Sequence, residues 1–336
     1  HAYHRRQRQM CIRDRMITDL IQNIGILGQA MEVNCLSNLL ILGSTGMLGK
    51  MVSLVFSDYS KDNLFFTSRS ENKFISELNG EKIIFDPTKD NFDDLCKLTN
   101  PSFVINCIGA IKPTISETKE SISNAISINS FFPLTIAKAS LDFNFSYIQI
   151  GTDCVFSGLE GEYIETSMTD ATDVYGKTKI VGEVSSNNKT LLRSSIVGPE
   201  TGSGRSLLNW FLRTDESVVN GFTDHEWNGI TTLNFAKIVL GITKNEQTQI
   251  KLQHMVPSDK VNKYELLNLF KEYFTKDIEI NNVLSDSKVD RTLKTLDSKA
   301  NQELWALGGY KEIPSIRDNI SELAEYEGTK KILEFV

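Results

Sequence analysis

Between Asn38 and Gly198 the sequence alternates short, mostly apolar runs with segments of helical periodicity. The runs are Leu39–Leu42, Leu64–Thr67, Lys82–Phe85, Phe103–Asn106, Tyr147–Ile150 and Leu191–Arg193. Continuous apolar runs of this length are typical of buried parallel strands, and segments such as Met47–Phe56 have the apolar spacing of helices. This alternation predicts an α/β fold with a doubly wound parallel sheet. Right-handed crossovers would place the strand carboxyl ends along one edge, where ligands bind.

After Gly198 the pattern changes to separate helices joined by short strands. The predicted helices are Leu207–Leu212, Leu233–Thr243 and Lys263–Phe274, and Asp277–Ile280 reads as a strand. We therefore predict two domains, a sheet domain at residues 37–198 and a smaller mixed α/β lobe at residues 199–336. The smaller lobe is expected to close over the ligand edge of the sheet.

The amino terminus differs in character from the rest of the chain. Arg5–Arg15 reads RRQRQMCIRDR, which resembles the translation of an adapter used in sequencing libraries. We predict that residues 1–36 are an artefactual or disordered extension and exclude them from the fold prediction. A basic targeting arm and an ordinary flexible tail are the alternatives.

Composition indicates an ordinary globular protein and excludes several classes of partner. Of the 336 residues, 40% are hydrophobic and 24% are charged. The net charge of −7 argues against nucleic-acid binding by bulk charge. No apolar run approaches the roughly 20 residues that span a bilayer. The five cysteines form no CxxC pair and lie near no histidine at metal-ligand spacing, so we predict no metal site and a cytoplasmic location.

The first predicted strand runs into a GxxGxxG turn that opens a helix. Glycines in such a turn let the backbone approach a pyrophosphate, while the helix amino end supplies N–H donors and a positive dipole. Helix–strand packing alone is the alternative explanation for these glycines. The candidate cofactor contacts in this motif are Gly43, Thr45, Gly46, Met47, Leu48 and Gly49.

Two residues that follow the next strands bear on the cofactor. The second strand ends at Arg69, where an NAD-specific site usually has an acidic residue that binds the ribose 2′-hydroxyl. Arginine suits a 2′-phosphate instead, so we predict NADPH, with NADH still possible and a solvated surface arginine as the alternative. Asp86 follows the third strand and could contact the adenine, or equally cap the next turn.

The residues that suggest chemistry are Tyr175, Lys179 and Thr152. Tyrosine and lysine four residues apart share one face of a helix. An ammonium near the hydroxyl is expected to lower the tyrosine pKa from about 10, which would suit proton exchange with a carbonyl or alcohol. Thr152 ends the strand before this helix and would place a hydroxyl at the ligand edge.

These motifs together resemble the extended short-chain dehydrogenase/reductase superfamily and, within it, the dTDP-4-dehydrorhamnose reductase-like branch. The similarity covers about Asn38 to Gly198 and is weaker beyond. The segments that carry it are GSTGMLG from Gly43, INCIGAI from Ile105, INSFFPLTIAKA from Ile128, GTDCVFSG from Gly151, EGEYIE from Glu160, YGKTKIVGE from Tyr175 and LLRSSIVG from Leu191. The chain departs from the usual pattern at Cys154, where a tyrosine is common.

The resemblance implies a Rossmann-type sheet and a role for each motif. Tyr175 would protonate a keto oxygen as hydride arrives from NADPH, Lys179 would hold the nicotinamide ribose and favour the phenolate, and Thr152 would hydrogen-bond the reacting oxygen. The implied cofactor-lining residues are Cys107, Ile108, Gly109, Asn129, Ser195 and Ile196. The expected substrate contacts are Asp153, Val155, Trp227 and Arg291.

For the residues after Gly198 the sequence leaves alternatives open. Trp227 could stack on a sugar or base, or could pack into the second lobe. Arg291 could reach a sugar-nucleotide diphosphate, or could form a surface salt bridge. We expect His254 to be structural, and the acidic residues near Glu322 to form a solvated helix face rather than a cation site.

The implied function is reduction of a nucleotide-diphospho-4-keto-6-deoxy sugar for polysaccharide precursor synthesis. A sugar-nucleotide epimerase or dehydratase is one alternative. A non-catalytic regulatory subunit, resembling the methionine adenosyltransferase beta subunit, is another. The expected partner is a nucleotide-sugar substrate, without nucleic acid or membrane, and a homodimer is left open.

Overall fold

The computed structural model describes residues 37–184, 186–201, 205–245 and 250–335. The extension predicted at residues 1–36 lies outside the described residues. The strands are β1 (Asn38–Leu42), β2 (Asn63–Ser68), β3 (Glu81–Ile84), β4 (Phe103–Asn106), β5 (Ser146–Gly151), β6 (Lys189–Arg193), β7 (Ile196–Val197), β8 (Val218–Phe222), β9 (His225–Trp227), β10 (Ile230–Thr231), β11 (Leu252–His254), β12 (Val261–Asn262), β13 (Glu279–Val283) and β14 (Val289–Asp290).

Helices separate most of the strands. They are α1 (Met47–Tyr59), α2 (Lys73–Ser76), α3 (Phe92–Thr99), α4 (Lys119–Ile126), α5 (Phe132–Asp142), α6 (Val174–Gly182), α7 (Leu207–Arg213), α8 (Thr232–Thr243), α9 (Lys263–Tyr273), α10 (Ser298–Leu307), α11 (Ile316–Glu325) and α12 (Glu327–Glu334). A π-helical turn at Ser127–Phe131 joins α4 to α5, and a 3-10 turn at Asp153–Val155 follows β5. Among the helices of the described ranges, none combines the length and apolar character needed to cross a bilayer.

The main sheet is parallel and confirms the predicted doubly wound α/β fold. Its strand order is β11-β6-β5-β4-β1-β2-β3. The chain moves outward from β1 to β3, then crosses back to place β4 on the other side of β1. The order therefore reverses between β1 and β4, and the crevice at their carboxyl ends is where such sheets bind ligands.

Each face of the sheet is covered by a separate apolar layer. Successive side chains of a strand point to opposite faces, so Leu39 and Ile41 belong to one layer and Leu40 and Leu42 to the other. The first layer packs against α1 and α8, and the second against α3 and α5. Because both faces are covered, the strands read as continuous apolar runs in the sequence.

Two elements that follow Gly198 belong to the sheet layers rather than to a separate lobe. The strand β11, which the sequence pattern did not predict, pairs with β6 at the edge of the sheet. The helix α8 packs directly on α1. The two predicted domains therefore interleave in space, and Ser37–Val336 groups as one compact unit.

Candidate active site

The glycine turn after β1 shows two different reasons for its glycines. Gly43 has φ +76°, and a Cβ there would lie 2.8 Å from Ile108 Cγ1. A Cβ on Gly49 would lie 2.0 Å from the Gly43 carbonyl oxygen, so this glycine allows α1 to pack closely on the turn. Thr67, at the end of β2, accepts hydrogen bonds from Gly43 N–H at 3.0 Å and from Ser44 N–H at 2.9 Å. Packing thus explains the first and third glycines.

Packing does not explain Gly46 or Gly109. The nearest atom to a Cβ on Gly46 would be Gly43 O at 3.5 Å, and on Gly109 it would be the Asn129 side-chain oxygen at 3.7 Å. Both are ordinary van der Waals distances, and both residues are exposed. They lie just beyond β1 and β4, on either side of the switch point. The exposed backbone at Gly46 and Gly109, called the glycine cradle below, leaves room for the pyrophosphate and nicotinamide part of a dinucleotide.

The amino end of α1 is also free to bind an anion. Gly46 is its N-cap, no side chain caps the helix, and no acidic residue lies in its first turn. The N–H groups of such an end lack intrahelical partners and favour negative charge. Thr45 and Met47 are partly exposed at this end, whereas the Leu48 side chain is buried, so only its backbone could meet a ligand.

Arg69 and Asp86 have different surroundings. Arg69 is exposed just beyond β2, and within the described part of the chain its guanidinium forms no hydrogen bond or ion pair. Asp86 instead accepts hydrogen bonds from the Thr88 N–H at 3.0 Å and the Thr88 hydroxyl at 2.7 Å. The geometry therefore favours the second alternative for Asp86, that of capping its own turn.

The loop after β4 is shaped by Asn129 in the π-helical turn. Its side chain accepts from Ala110 N–H and donates to Ala110 O, each at 2.9 Å, and also donates to the Thr178 hydroxyl at 3.1 Å. Asn129 is buried, so it holds the loop rather than presenting its amide to a ligand. The expectation that Asn129 lines the cofactor stays a prediction, and its contacts indicate that it would act by holding this loop. Cys107, Ile108 and Gly109 lie in the held loop and are at least partly exposed.

Thr152, Tyr175 and Lys179 converge at the carboxyl end of β5. The hydroxyl groups of Tyr175 and Thr152 are hydrogen-bonded, and the Lys179 ammonium donates to Ile150 O at 2.9 Å. The Asp173 side chain caps α6 through Gly176 N–H at 2.8 Å and so fixes the helix that carries Tyr175 and Lys179. The structure therefore brings together the three residues predicted as a group.

Burial dominates the electrostatics of this group. Burial raises the pKa of the Tyr175 hydroxyl well above 10, and the hydrogen bond from Thr152 offsets only part of that rise. Burial also lowers the pKa of Lys179 to about 8, against the opposing charge of Glu183. The expected lowering of the Tyr175 pKa by an ammonium is therefore wrong for this structure, because burial and the neighbouring carboxylates of Asp153 and Asp173 raise that pKa. Tyr175 is a neutral hydroxyl that can donate a proton.

A buried ionic network lies next to Lys179. Arg193 donates from Nε to Glu183 at 3.2 Å and from Nη1 to His254 Nε2 at 2.8 Å. Arginine only donates, so His254 Nε2 accepts and its Nδ1–H donates to Lys294 O at 2.8 Å. Burial, with the Arg193 charge, lowers the pKa of His254 to about 4, so the ring is neutral. His254 has the structural role expected of it.

The residues predicted to meet substrate fall into two groups. Asp153 is partly exposed beside Thr152, and Arg291 donates from Nε to Phe156 O at 2.9 Å, so both lie at the loop after β5. Val155 is completely buried and Trp227 is 5% exposed. The substrate contacts expected of these two residues stay predictions, and their burial leaves little side-chain surface for a ligand. Trp227 packs into the C-terminal part of the chain, in agreement with the second of its two predicted alternatives.

Trp227 nevertheless supports the site through its neighbours. Its indole N–H donates to the Ser195 hydroxyl at 2.9 Å, which orients Ser195 beside Ile196 at the start of β7; both are partly exposed. The ammonium of Lys263 lies 5.4 Å from the centroid of the Trp227 ring. Sequence analysis missed Lys263, because no motif precedes it and its approach to the site depends on how α9 packs.

The acidic residues near Glu322 do not gather as a cation site. The Glu322 carboxylate accepts from Lys237, from the Tyr310 hydroxyl at 2.7 Å and from Asn234 at 3.2 Å. Glu322 therefore ties α11 to α8, whereas Glu325 and Glu327 are exposed as expected of a solvated helix face. In the described residues no group of three or more His, Cys, Asp or Glu side chains is arranged to hold a metal ion.

Fold and site together define a class of protein. A parallel doubly wound sheet, an uncapped glycine turn at its switch point and a Thr–Tyr–Lys group at the next strand end are the features of an extended short-chain dehydrogenase/reductase. The chain belongs to the family described as RmlD substrate binding domain, which matches residues 37–327. The resemblance stated from the sequence motifs is thereby confirmed.

Individual relatives match over a shorter stretch of the chain than the family model does. A dTDP-4-dehydrorhamnose reductase from Aggregatibacter actinomycetemcomitans is 27% identical over 149 residues, 44% of this chain and 46% of the relative. A methionine adenosyltransferase 2 subunit beta from Xenopus tropicalis is 25% identical over 147 residues, 43% of this chain and 41% of the relative. The matched stretch thus spans less than half the length of either relative.

Solved structures share the fold at low sequence identity. A dTDP-4-dehydrorhamnose reductase from Clostridium acetobutylicum superposes with a TM-score of 0.64 at 18% identity, covering 85% of this chain and 97% of that one. A UDP-glucuronic acid 4-epimerase from Bacillus cereus gives 0.67 at 14% identity, covering 87% and 99%. At these identities the likeness supports the fold alone.

Proposed function

We propose that the protein reduces the keto group of a nucleotide-diphospho-4-keto-6-deoxy sugar with NADPH, in the synthesis of a polysaccharide precursor. The observation that carries this proposal is the convergence of Thr152, Tyr175 and Lys179 at the end of β5, beside the glycine cradle. Family membership supports the substrate class, because a relative named as a dTDP-4-dehydrorhamnose reductase matches this chain.

Tyr175 is proposed as the proton donor. Its raised pKa keeps the proton on the hydroxyl, and Thr152 fixes the direction of that hydroxyl through their hydrogen bond. NADPH, when bound, would supply the hydride to the sugar carbon. The proton of Tyr175 would pass to the keto oxygen, giving an alcohol and leaving a phenolate. A positive Lys179 would stabilise that phenolate, which would then take a proton from solvent before the next cycle.

The cofactor would be held at the switch point of the sheet. Gly46 and Gly109 leave bare backbone there, and the uncapped end of α1 suits the pyrophosphate. Arg69 is exposed beyond β2 without a protein partner in the described residues, which supports binding of the 2′-phosphate of NADPH. NADH remains the second candidate. Lys179 would bind the nicotinamide ribose, and Ser195 and Ile196 would border the ring.

The first experiment measures NADPH oxidation by the full chain with dTDP-4-dehydrorhamnose. We expect cofactor consumption that depends on the sugar nucleotide and is lost in Tyr175→Phe, while NADPH binding persists in that variant. Turnover retained by Tyr175→Phe would show that Tyr175 is not the proton donor. A parallel titration with NADH tests the role proposed for Arg69, since Arg69→Ala should weaken NADPH binding and leave NADH binding unchanged.

Two other activities remain candidates on specific grounds. The methionine adenosyltransferase subunits match at nearly the same identity as the reductase, which supports a regulatory role. A protein with that role would bind NADPH and consume none. The epimerase among the structural neighbours supports the second alternative, in which the product is an isomer and bound cofactor is regenerated in each cycle. Analysis of the products separates all three.

A further inference from the structure

Lys263 is a lysine of the C-terminal part whose side chain reaches toward the candidate active site. It is the first residue of α9, and Asn262 and Glu265 form a capping box that fixes this end of the helix. Its ammonium lies over the ring of Trp227, 5.4 Å from the centroid, and interacts electrostatically with Asp153 and Cys154. These two residues directly follow Thr152.

Lys263 shares its neighbours with the proposed proton donor. Asp153 and Cys154 influence the pKa of Tyr175 as well as that of Lys263, so the two side chains border the same short segment. Arg291 also acts on Cys154. The cationic side chains of Lys263 and Arg291, both in the C-terminal part, thus approach the segment that directly follows Thr152.

The partners of Lys263 differ from those of the buried lysines. Lys50, Lys179 and Lys189 are each nearly inaccessible, and each ammonium donates to a backbone carbonyl of the protein. Within the ranges that the structure describes, the Lys263 ammonium has no hydrogen-bond acceptor and no ion pair, although burial lowers its pKa to about 8. Lys263 differs from these three lysines in being partly exposed, so a ligand can reach its ammonium, and a partly buried charge without a protein acceptor is unfavourable. The missing acceptor therefore points to a ligand.

We propose that Lys263 binds an oxyanion of the nucleotide-sugar substrate and so contributes to substrate specificity. The oxyanion is the diphosphate, because the proposed 4-keto-6-deoxy substrate carries no carboxylate and a lysine ammonium binds phosphate as a point charge. The Trp227 ring holds the ammonium in place through a cation–π contact before the ligand arrives. The substrate class in this proposal rests on the proposed function, but binding of the oxyanion does not require turnover.

Binding of known compounds to the NADP⁺-loaded full chain tests the proposal. The probes are dTDP, UDP, UDP-glucose and UDP-glucuronate, measured by calorimetry at neutral pH. We expect wild type to bind at least one of them and Lys263→Met to bind it at least about tenfold more weakly. Lys263→Arg should recover most of the affinity. Lys271→Met removes an exposed lysine from the same helix and should behave as wild type.

The pattern of losses identifies the oxyanion. An equal loss for all four probes places the diphosphate at Lys263, whereas a loss confined to UDP-glucuronate would place a sugar carboxylate there and would contradict the diphosphate assignment. Unchanged affinities in Lys263→Met, or no binding of any probe to wild type, overturn the proposal. Thermal unfolding of each variant excludes a loss caused by misfolding, with Lys263→Arg as the folded reference. Failure of the proposed reductase activity would be visible separately, as probe binding without NADPH oxidation.

Discussion

Two regions meet at the candidate active site, and they differ in how their polar groups are satisfied. The strand-end region, residues 43–49 and 150–193, holds Lys179, and the C-terminal region, residues 195–291, holds Lys263. Burial lowers the pKa of both lysines to about 8. Lys179 has a carbonyl partner in the protein, whereas Lys263 has none within the described residues. The first region is assembled before a ligand binds, and the second is completed by one.

Assembly of the strand-end region depends on buried charges. Lys179 is near Glu183, Glu183 pairs with Arg193, and Arg193 bonds to the neutral ring of His254. Each hydrogen-bond donor or charge in this network therefore meets an acceptor or an opposite charge. A network of this kind is stable only while it is complete, since removal of one charge leaves another buried and unpaired.

The largest effect is expected from Arg193→Met. It leaves the nearly buried Glu183 carboxylate without its partner, which should lower the free energy of unfolding by about 3–5 kcal/mol. Denaturant unfolding measures this change. Arg317→Met is the matched control, because it removes an exposed ion pair with Glu272 and should change stability little. Equal effects in the two variants would contradict the view that the strand-end network is what holds this region.

The two lysines should affect different kinetic constants. Lys179→Met removes the charge that supports the proton transfer, so kcat should fall by about 100-fold or more. Lys263→Met should instead raise KM for the sugar nucleotide with little change in kcat, because its contact is with the bound substrate in ground and transition states alike. Steady-state kinetics of both variants measure the contrast. A large fall in kcat for Lys263→Met would place that lysine in the reaction itself.

Glycine substitutions separate packing from cofactor binding in the strand-end region. Gly49→Ala places a methyl group 2.0 Å from Gly43 O and should destabilise the protein by about 1–3 kcal/mol. Gly46→Ala meets no protein atom closer than 3.5 Å, so stability should change by no more than about 1 kcal/mol.

The same Gly46→Ala change should weaken NADPH binding at least about tenfold, because it fills the backbone cradle and displaces charge-assisted contacts. Fluorescence titration with NADPH measures the affinity, and thermal unfolding provides the comparison. Normal NADPH affinity in Gly46→Ala would show that the backbone at Gly46 is not part of the cofactor site.

The two regions also differ in how far the sequence could predict them. Gly46, Thr152, Tyr175 and Lys179 follow strands or open helices at fixed spacing, so local chemistry and sheet topology are enough to bring them together. The position of Lys263 depends on the packing of α9 and Trp227, and no local spacing encodes that packing. β11 was missed for a related reason, because a three-residue edge strand carries little periodicity.

The direction of the Tyr175 pKa shift could not be predicted either. A sequence places the lysine four residues away on the same helix face, which suggests a lowered pKa. Whether the hydroxyl is hydrated depends on the surrounding loops, and here burial is the largest cause of the shift. Charge partners can be inferred from spacing, but loss of hydration is a property of the packed structure.

The smallest expected effect is on how the free energy of unfolding depends on pH above neutrality. It tests the surroundings of Lys263 without any ligand. Its pKa is about 8 in the folded chain and ordinarily 10.5, chiefly because of burial, with Asp153 and Cys154 opposing. Below pH 8 both states are protonated, and the folded chain carries the full cost of a desolvated ammonium. Between pH 8 and 10.5 the unfolded chain binds more protons, so this contribution to stability rises with pH.

Lys263→Met isolates this contribution from those of the other lysines. The stability of the variant relative to wild type should be greatest below pH 8 and should decline as the pH rises toward 10.5, where wild type has recovered the cost of desolvation. The Cys154 thiol stays neutral across this range, because burial raises its pKa to about 12. Denaturant unfolding at several pH values measures the difference. If it stays constant with pH, the Lys263 ammonium is as well hydrated in the folded chain as in the unfolded one, and it does not need an acceptor from a ligand.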